Sequence, residues 1–168
     1  MSVRDVLLFP HPTLKRTARA IGHGGREVAE RVAADLLDTM RAHTGCVGLA
    51  APQLDELVRM VVVDVSEHPK AETSNGLLLL VDPEVVSQSG AEVAREGCLS
   101  IPHLTANVRR ATAIDLRART PAGEAVELRS EGFEARCLLH EIDHLDGLLF
   151  LDRVGSLATD VFRRKRYR

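Results

Sequence analysis

Long apolar runs are missing from this sequence, and so is any large excess of charge. No stretch approaches the roughly 18 apolar residues that a membrane-spanning helix needs, which excludes a helical membrane protein. The N-terminus, MSVRDVLLFPHP, lacks the extended apolar core and small-residue cleavage site of a secretory signal, so the chain is expected in the cytoplasm. The net charge of −2 at pH 7 gives no electrostatic reason to expect a membrane surface or specific DNA as partner. Cysteine is scarce and odd in number, at Cys46, Cys98 and Cys137. That argues against a disulfide framework and leaves at least one thiol for packing, metal binding or catalysis.

What is present fits one ordinary domain spanning residues 1–168. Val28, Val32, Leu36 and Met40 recur every four residues and predict a helix over 26–42. A second helix is expected from about Gly132 to Asp146, carrying Phe133, Cys137, Leu138, Ile142 and Leu145, with Gly147 as a stop. Strand-like runs lie between them at 60–65, 77–81, 108–119 and 126–128. The polar stretch 66–76 reads as a surface loop. Strands bunched between two helices imply an α+β fold with a mainly antiparallel sheet. The chain closes on a basic stretch at 163–168, with five basic residues in six. Such a stretch suits a solvated tail or a contact with ribosomal RNA.

The chemistry sits in the second helix. His140-Glu-Ile-Asp-His144 matches H-E-x-x-H. Residues four apart on a helix lie on one face, about 6 Å apart at Cβ, so both imidazoles can reach one metal ion. Glu141 is then placed to handle the proton of a metal-bound water. The flanking residues are apolar on several sides, so the helix should be largely buried, and buried His and Glu need partners. A catalytic site of this type takes a third protein ligand. The position that is His in one extended zinc-protease pattern is Phe150 here, and no Glu follows Glu141. The third ligand therefore comes from upstream. Cys137, three residues before His140, has a poor angle. Spacing alone leaves Cys46, in a Gly- and Ala-rich run, and Cys98, in Glu96-Gly-Cys-Leu-Ser100, both open.

Three segments taken together, Val47-Gly-Leu-Ala-Ala-Pro-Gln53, Glu96-Gly-Cys-Leu-Ser100 and His140-Glu-Ile-Asp-His144, resemble the motifs of bacterial peptide deformylases. The resemblance covers roughly residues 5 to 155. It implies an α+β fold with antiparallel sheets packed around the helix that bears H-E-x-x-H, together with an N-terminal helix. It implies a hydrolase that removes the formyl group from N-formylmethionyl peptides. By position, Cys98, His140 and His144 would hold one divalent metal, Fe(II) in the cell with Zn(II), Ni(II) or Co(II) as substitutes. Glu141 would be general base and then general acid. Gln53 and the backbone N–H of Leu99 would polarise the formyl oxygen. Gly48 and Gly97 would bind the substrate backbone, and Val47, Phe133 and Cys137 would line the methionine pocket. Other readings are a different metal amidase or peptidase, or a deformylase-like module that binds the ribosome without catalysis.

The sequence departs from the family pattern in a few places. Cys46 stands where the family has Gly, and the preceding Gly45 is expected to take any left-handed backbone. Leu139 replaces Gln before the H-E-x-x-H and is expected to face away from the metal. His103, in the strip after Ile101-Pro102, is expected at the surface.

Overall fold

The computed structural model describes residues 2–165 of the chain. Two helices, α1 (Arg26–Ala42) and α2 (Gly132–Leu145), accompany eight strands. The strands are β1 (Gly48–Ala50), β2 (Met60–Val63), β3 (Leu78–Ser89), β4 (Glu92–Cys98), β5 (Ile101–Arg110), β6 (Ala113–Arg119), β7 (Ala125–Glu131) and β8 (Val161–Arg163). They form a five-stranded sheet in the order β1-β2-β3-β6-β7 and a three-stranded sheet in the order β4-β5-β8. Every pairing between these strands is antiparallel. The fold is α+β, as the bunching of strands between two helices implied.

The larger sheet is covered on both faces. All four residues of β2 are fully buried, and side chains alternate along a strand. Val61 and Val63 meet Leu138, Ile142 and Leu145 of α2. Met60 and Val62 meet Val32, Leu36 and Met40 of α1. A strand clad on both sides reads as an unbroken apolar run rather than an alternating one. The expected stripe of α1 is shifted: Val28 is exposed, and Ala29 and Ala33 join the packed face instead. A third cluster, with Cys98, Ile101, Ala106, Val108 and Phe150, lies under the smaller sheet. Helix α2 is thus a shared wall, with its apolar side on the large sheet and polar side chains reaching β4 and β5.

Other expectations need correction. The single run at 108–119 is two strands. The chain leaves the small sheet after Arg110 and enters the large one at Ala113, and Thr112 at the corner bonds Ser89 and Gly132 through its backbone. Strands β1 and β4 were not anticipated. In β4 the inward residues are Ala94, Glu96 and Cys98, and a carboxylate on the buried face disguises the alternation. The basic stretch begins inside the fold: Arg163 pairs with Leu104, and the Arg164 N–H donates to the His103 carbonyl. The rest of that stretch, 166–168, lies outside the described residues. Among the described residues no helix is long and apolar enough to cross a membrane.

Leu36 is fully buried against β2 on the face away from α2. Its replacement by alanine should cost about 3 kcal/mol of folding stability, read by urea denaturation.

Candidate metal centre

His140 and His144 sit one turn apart on α2, and Cys98 is the last residue of β4. One donor atom from each lies within 4.8 Å of the others, and the Cys98 Sγ is 3.4 Å from His144 Nε2. The β4–β5 register breaks between Glu96 and Cys98, so that Gly97 alone stands opposite residues 102–105 of β5, and Cys98 lies at the end of the strand beyond that break. Cys98 is thus the thiol that the structure brings within reach of both imidazoles. The Cys46 thiol instead turns to the Gly48 carbonyl at 3.2 Å, and burial pushes its pKa up to about 12. The left-handed backbone at that loop is carried by Gly45, at φ +79°. Burial pushes His144 well below the ordinary imidazole value, which keeps it neutral and fit to be a ligand. A thiol and two imidazoles at this spacing, buried and aimed at one point, fit a borderline-soft divalent cation.

The orientation of His140 is fixed from behind. Its Nδ1 lies 2.9 Å from Glu96 Oε1. An ionised carboxylate only accepts, so Nδ1 carries the hydrogen and Nε2 is the nitrogen left to face a cation. The same carboxylate takes both arms of Arg110 at 2.8 and 2.9 Å and Arg136 Nη1 at 2.6 Å. Arg110 continues to Asp143 at 2.6 Å, and Asp143 to Arg153 at 2.8 Å. Burial alone would raise the Glu96 pKa, but the bonds from Arg110 and His140 outweigh it and hold the carboxyl well below the usual range. Sequence reasoning gave none of Glu96, Arg110, Arg136 or Asp143 a role. Glu96 and Asp143 lay inside the motifs themselves, but no spacing rule links them to Arg110.

Glu141 is buried beside the ligands. Its Oε1 is 3.7 Å from His140 Nε2, and its Oε2 has no hydrogen-bond partner among the described residues. Burial pushes its pKa up to about 7. Gly48 packs close here: a Cβ on it would stand 3.1–3.3 Å from the Glu141 side chain and press on it. Gln53 is fully buried. Its Oε1 accepts from the Ala50 N–H at 2.9 Å, and its Nε2 donates to Ser100 Oγ at 3.1 Å and approaches Cys98 Sγ at 3.6 Å. The amide N–H groups are thereby aimed at the cluster. Leu99 follows Cys98 in the turn between β4 and β5.

Val47, Phe133 and Cys137 are half-buried and pack on one core cluster, with Phe133 stacked on His68 at 4.3 Å. Leu139, where the family pattern has glutamine, packs on that cluster too. His103 is exposed, as expected. The remaining site residue, Gly97, lies at the register break with the Arg164 guanidinium where a side chain would be. Strands β1 and β4 are each the edge of their sheet. Gly48 and Gly97 therefore lie on free strand edges next to the cluster.

The Glu96 carboxyl is held lower in the folded chain than its ordinary 4.5, so the unfolded chain takes up protons first. The stabilisation is complete above pH 4.5 and is lost as pH falls below it. Urea midpoints measured between pH 7 and 3 should drop in that acid window, and Glu96→Gln should flatten the drop. An equally steep acid limb in the variant would assign it to other carboxylates.

Comparison with known proteins agrees with this geometry. Residues 3–160 match the family model described as polypeptide deformylase. A peptide deformylase of Xylella fastidiosa is 40% identical over 172 residues, covering 98% of this chain and 95% of that protein. Among solved structures, a peptide deformylase from Legionella pneumophila superposes with a TM-score of 0.82 at 35% identity, covering 93% of this chain and 88% of that one. A class I type b peptide deformylase from Acinetobacter baumannii, solved with Met-Ala-Ser bound, gives 0.84 at 31% identity, covering 91% and 100%.

Proposed function

The chain belongs to the peptide deformylase family, and from that premise we propose which of its residues carry out the metal-dependent removal of an N-formyl group. The reading rests on one observation: Glu141, Gln53 and the Cys98, His140 and His144 donors converge on one buried spot.

The substrate is an N-formylmethionyl peptide, met on nascent chains in the cytoplasm. Its backbone lies along the free edges at Gly48 and Gly97, which offer the N–H and C=O groups that an extended peptide pairs with. The Met-Ala-Ser complex of the Acinetobacter baumannii relative supports an occupant of that length and kind. The methionine side chain goes to the apolar flank formed by Val47, Phe133 and Cys137.

A formamide is a poor electrophile, and water at neutral pH is a poor nucleophile. A divalent cation held by Cys98, His140 and His144 supplies Lewis acidity for both partners when bound. We assign Fe(II) as the cellular metal, with Zn(II), Ni(II) and Co(II) able to replace it at a mixed thiolate–imidazole site. The protein does the rest. Glu141 accepts a proton from water as the water oxygen adds to the formyl carbon. The Gln53 amide and the Leu99 N–H donate to the formyl oxygen as it gains negative charge, and one such donor is worth about 3 kcal/mol. Glu141 then returns the proton to the peptide nitrogen as the C–N bond breaks, releasing formate and a free amine. Its raised pKa suits a group that must both take and give a proton near pH 7.

An inactive, purely binding module is not favoured, because every group this chemistry needs is present and assembled. The exposed Arg163 and Lys165 support a contact with ribosomal RNA through the basic stretch. Replacing both by alanine should then weaken ribosome co-sedimentation at low salt, and unchanged co-sedimentation would dismiss the contact.

Formate release from formyl-Met-Ala-Ser should fall by about 10²- to 10⁴-fold in Glu141→Ala while bound metal stays at the wild-type level. Cys98→Ser should lose the metal. A metal-loaded wild type that releases no formate would overturn the assignment.

A further inference from the structure

Strand β4 presents two faces of opposite character. Ala94, Glu96 and Cys98 point inward to α2, whereas Val93, Arg95 and Gly97 point outward. On the outer face the Arg164 guanidinium occupies the space that a side chain at Gly97 would take, next to Thr105. Arg164 gets there because β8 pairs with β5 and its N–H then bonds the His103 carbonyl. Arg95 lies on the same face. Its Cζ stands 3.8 Å over the Phe162 ring, and it donates to Asn107 at 3.1 Å and Thr105 at 3.3 Å. Two guanidinium groups therefore lie on the outer face of the small sheet, that of Arg164 against Gly97 of β4 and that of Arg95 over β5 and β8. Among the described residues no carboxylate forms an ion pair with Arg164.

We propose that Arg164, with Arg95 beside it, forms a cationic subsite that reads the side chain following the N-terminal methionine and favours aspartate or glutamate there. The inference deepens the deformylase reading and rests on it. A peptide added as a strand to the β4 edge alternates its side chains across the sheet. With the methionine turned inward to Phe133 and Cys137, the next side chain turns outward to the face that holds Arg164 and Arg95. Gly97 is part of the device: with no side chain of its own, it leaves the guanidinium room to lie against the strand that the substrate joins.

The test compares kcat/KM for formyl-Met-Asp-Ala and formyl-Met-Lys-Ala with the metal-loaded full-length enzyme at low ionic strength. The aspartyl peptide should be preferred by about fivefold, the upper range for an exposed ion pair. The preference should collapse in about 1 M salt, where the screening length is ~3 Å. Arg164→Glu should invert it. If that variant does not fold, Arg164→Gln should bring the ratio towards one, and a ratio formed within one preparation is insensitive to partial loss of active enzyme. The same ratio in wild type and variants would overturn the subsite while leaving deformylation intact. No formate from either peptide with metal-loaded wild type would instead remove the deformylase reading, and the subsite with it.

Discussion

The buried carboxylate of Glu96 is the contact on which the rest of the centre depends. It stands on β4 and is held by Arg110 from β5 and by Arg136 and His140 from α2. The smaller sheet and the central helix therefore meet through charge rather than through grease. Isolated, that carboxylate would cost several kcal/mol to bury. Ringed by three cationic or hydrogen-donating groups, it becomes the part that sets the angle of the His140 ring. Energetics and function are the same interaction here, since the bonds that offset the desolvation of Glu96 also decide which nitrogen of His140 faces the cluster.

The two sheets divide the work. The large sheet, clad by α1 and α2, supplies rigidity through side chains with no chemistry of their own. Its edge at β1 brings Gly48 against Glu141, and the turn that follows brings Gln53 under Cys98. The small sheet supplies the thiol and an unpaired edge. His140 on the helix and Gln53 in the tight turn are each held by bonds to buried partners, the kind of fixing that preorganises a polar site.

Much of this was legible in the residues. Both helices could be read from periodicity, and the buried β2 from its run of valines. The H-E-x-x-H announced a metal, because helical geometry makes an i, i+4 pair chelating whatever the fold around it. Cys98 could be separated from Cys46 only by the resemblance, since the register break that brings one thiol to the imidazoles has no signature in spacing. Strand β4 stayed hidden because its inward positions include Glu96, and a strand with a buried charge does not alternate by hydropathy. The break between β5 and β6 was missed because a corner where the chain changes sheets keeps the residue preferences of one long strand. Arg163 and Arg164 looked like a tail because composition reports charge and is silent about backbone pairing.

Cys98, just past the register break at Gly97, sits on the small sheet and faces two imidazoles on the helix that backs the large one. An ion gripped by all three is therefore a removable crosslink between the halves of the molecule, placed along the seam where a peptide would lie. Its loss would take away one tie between the two halves and leave the Glu96 contacts to hold the seam.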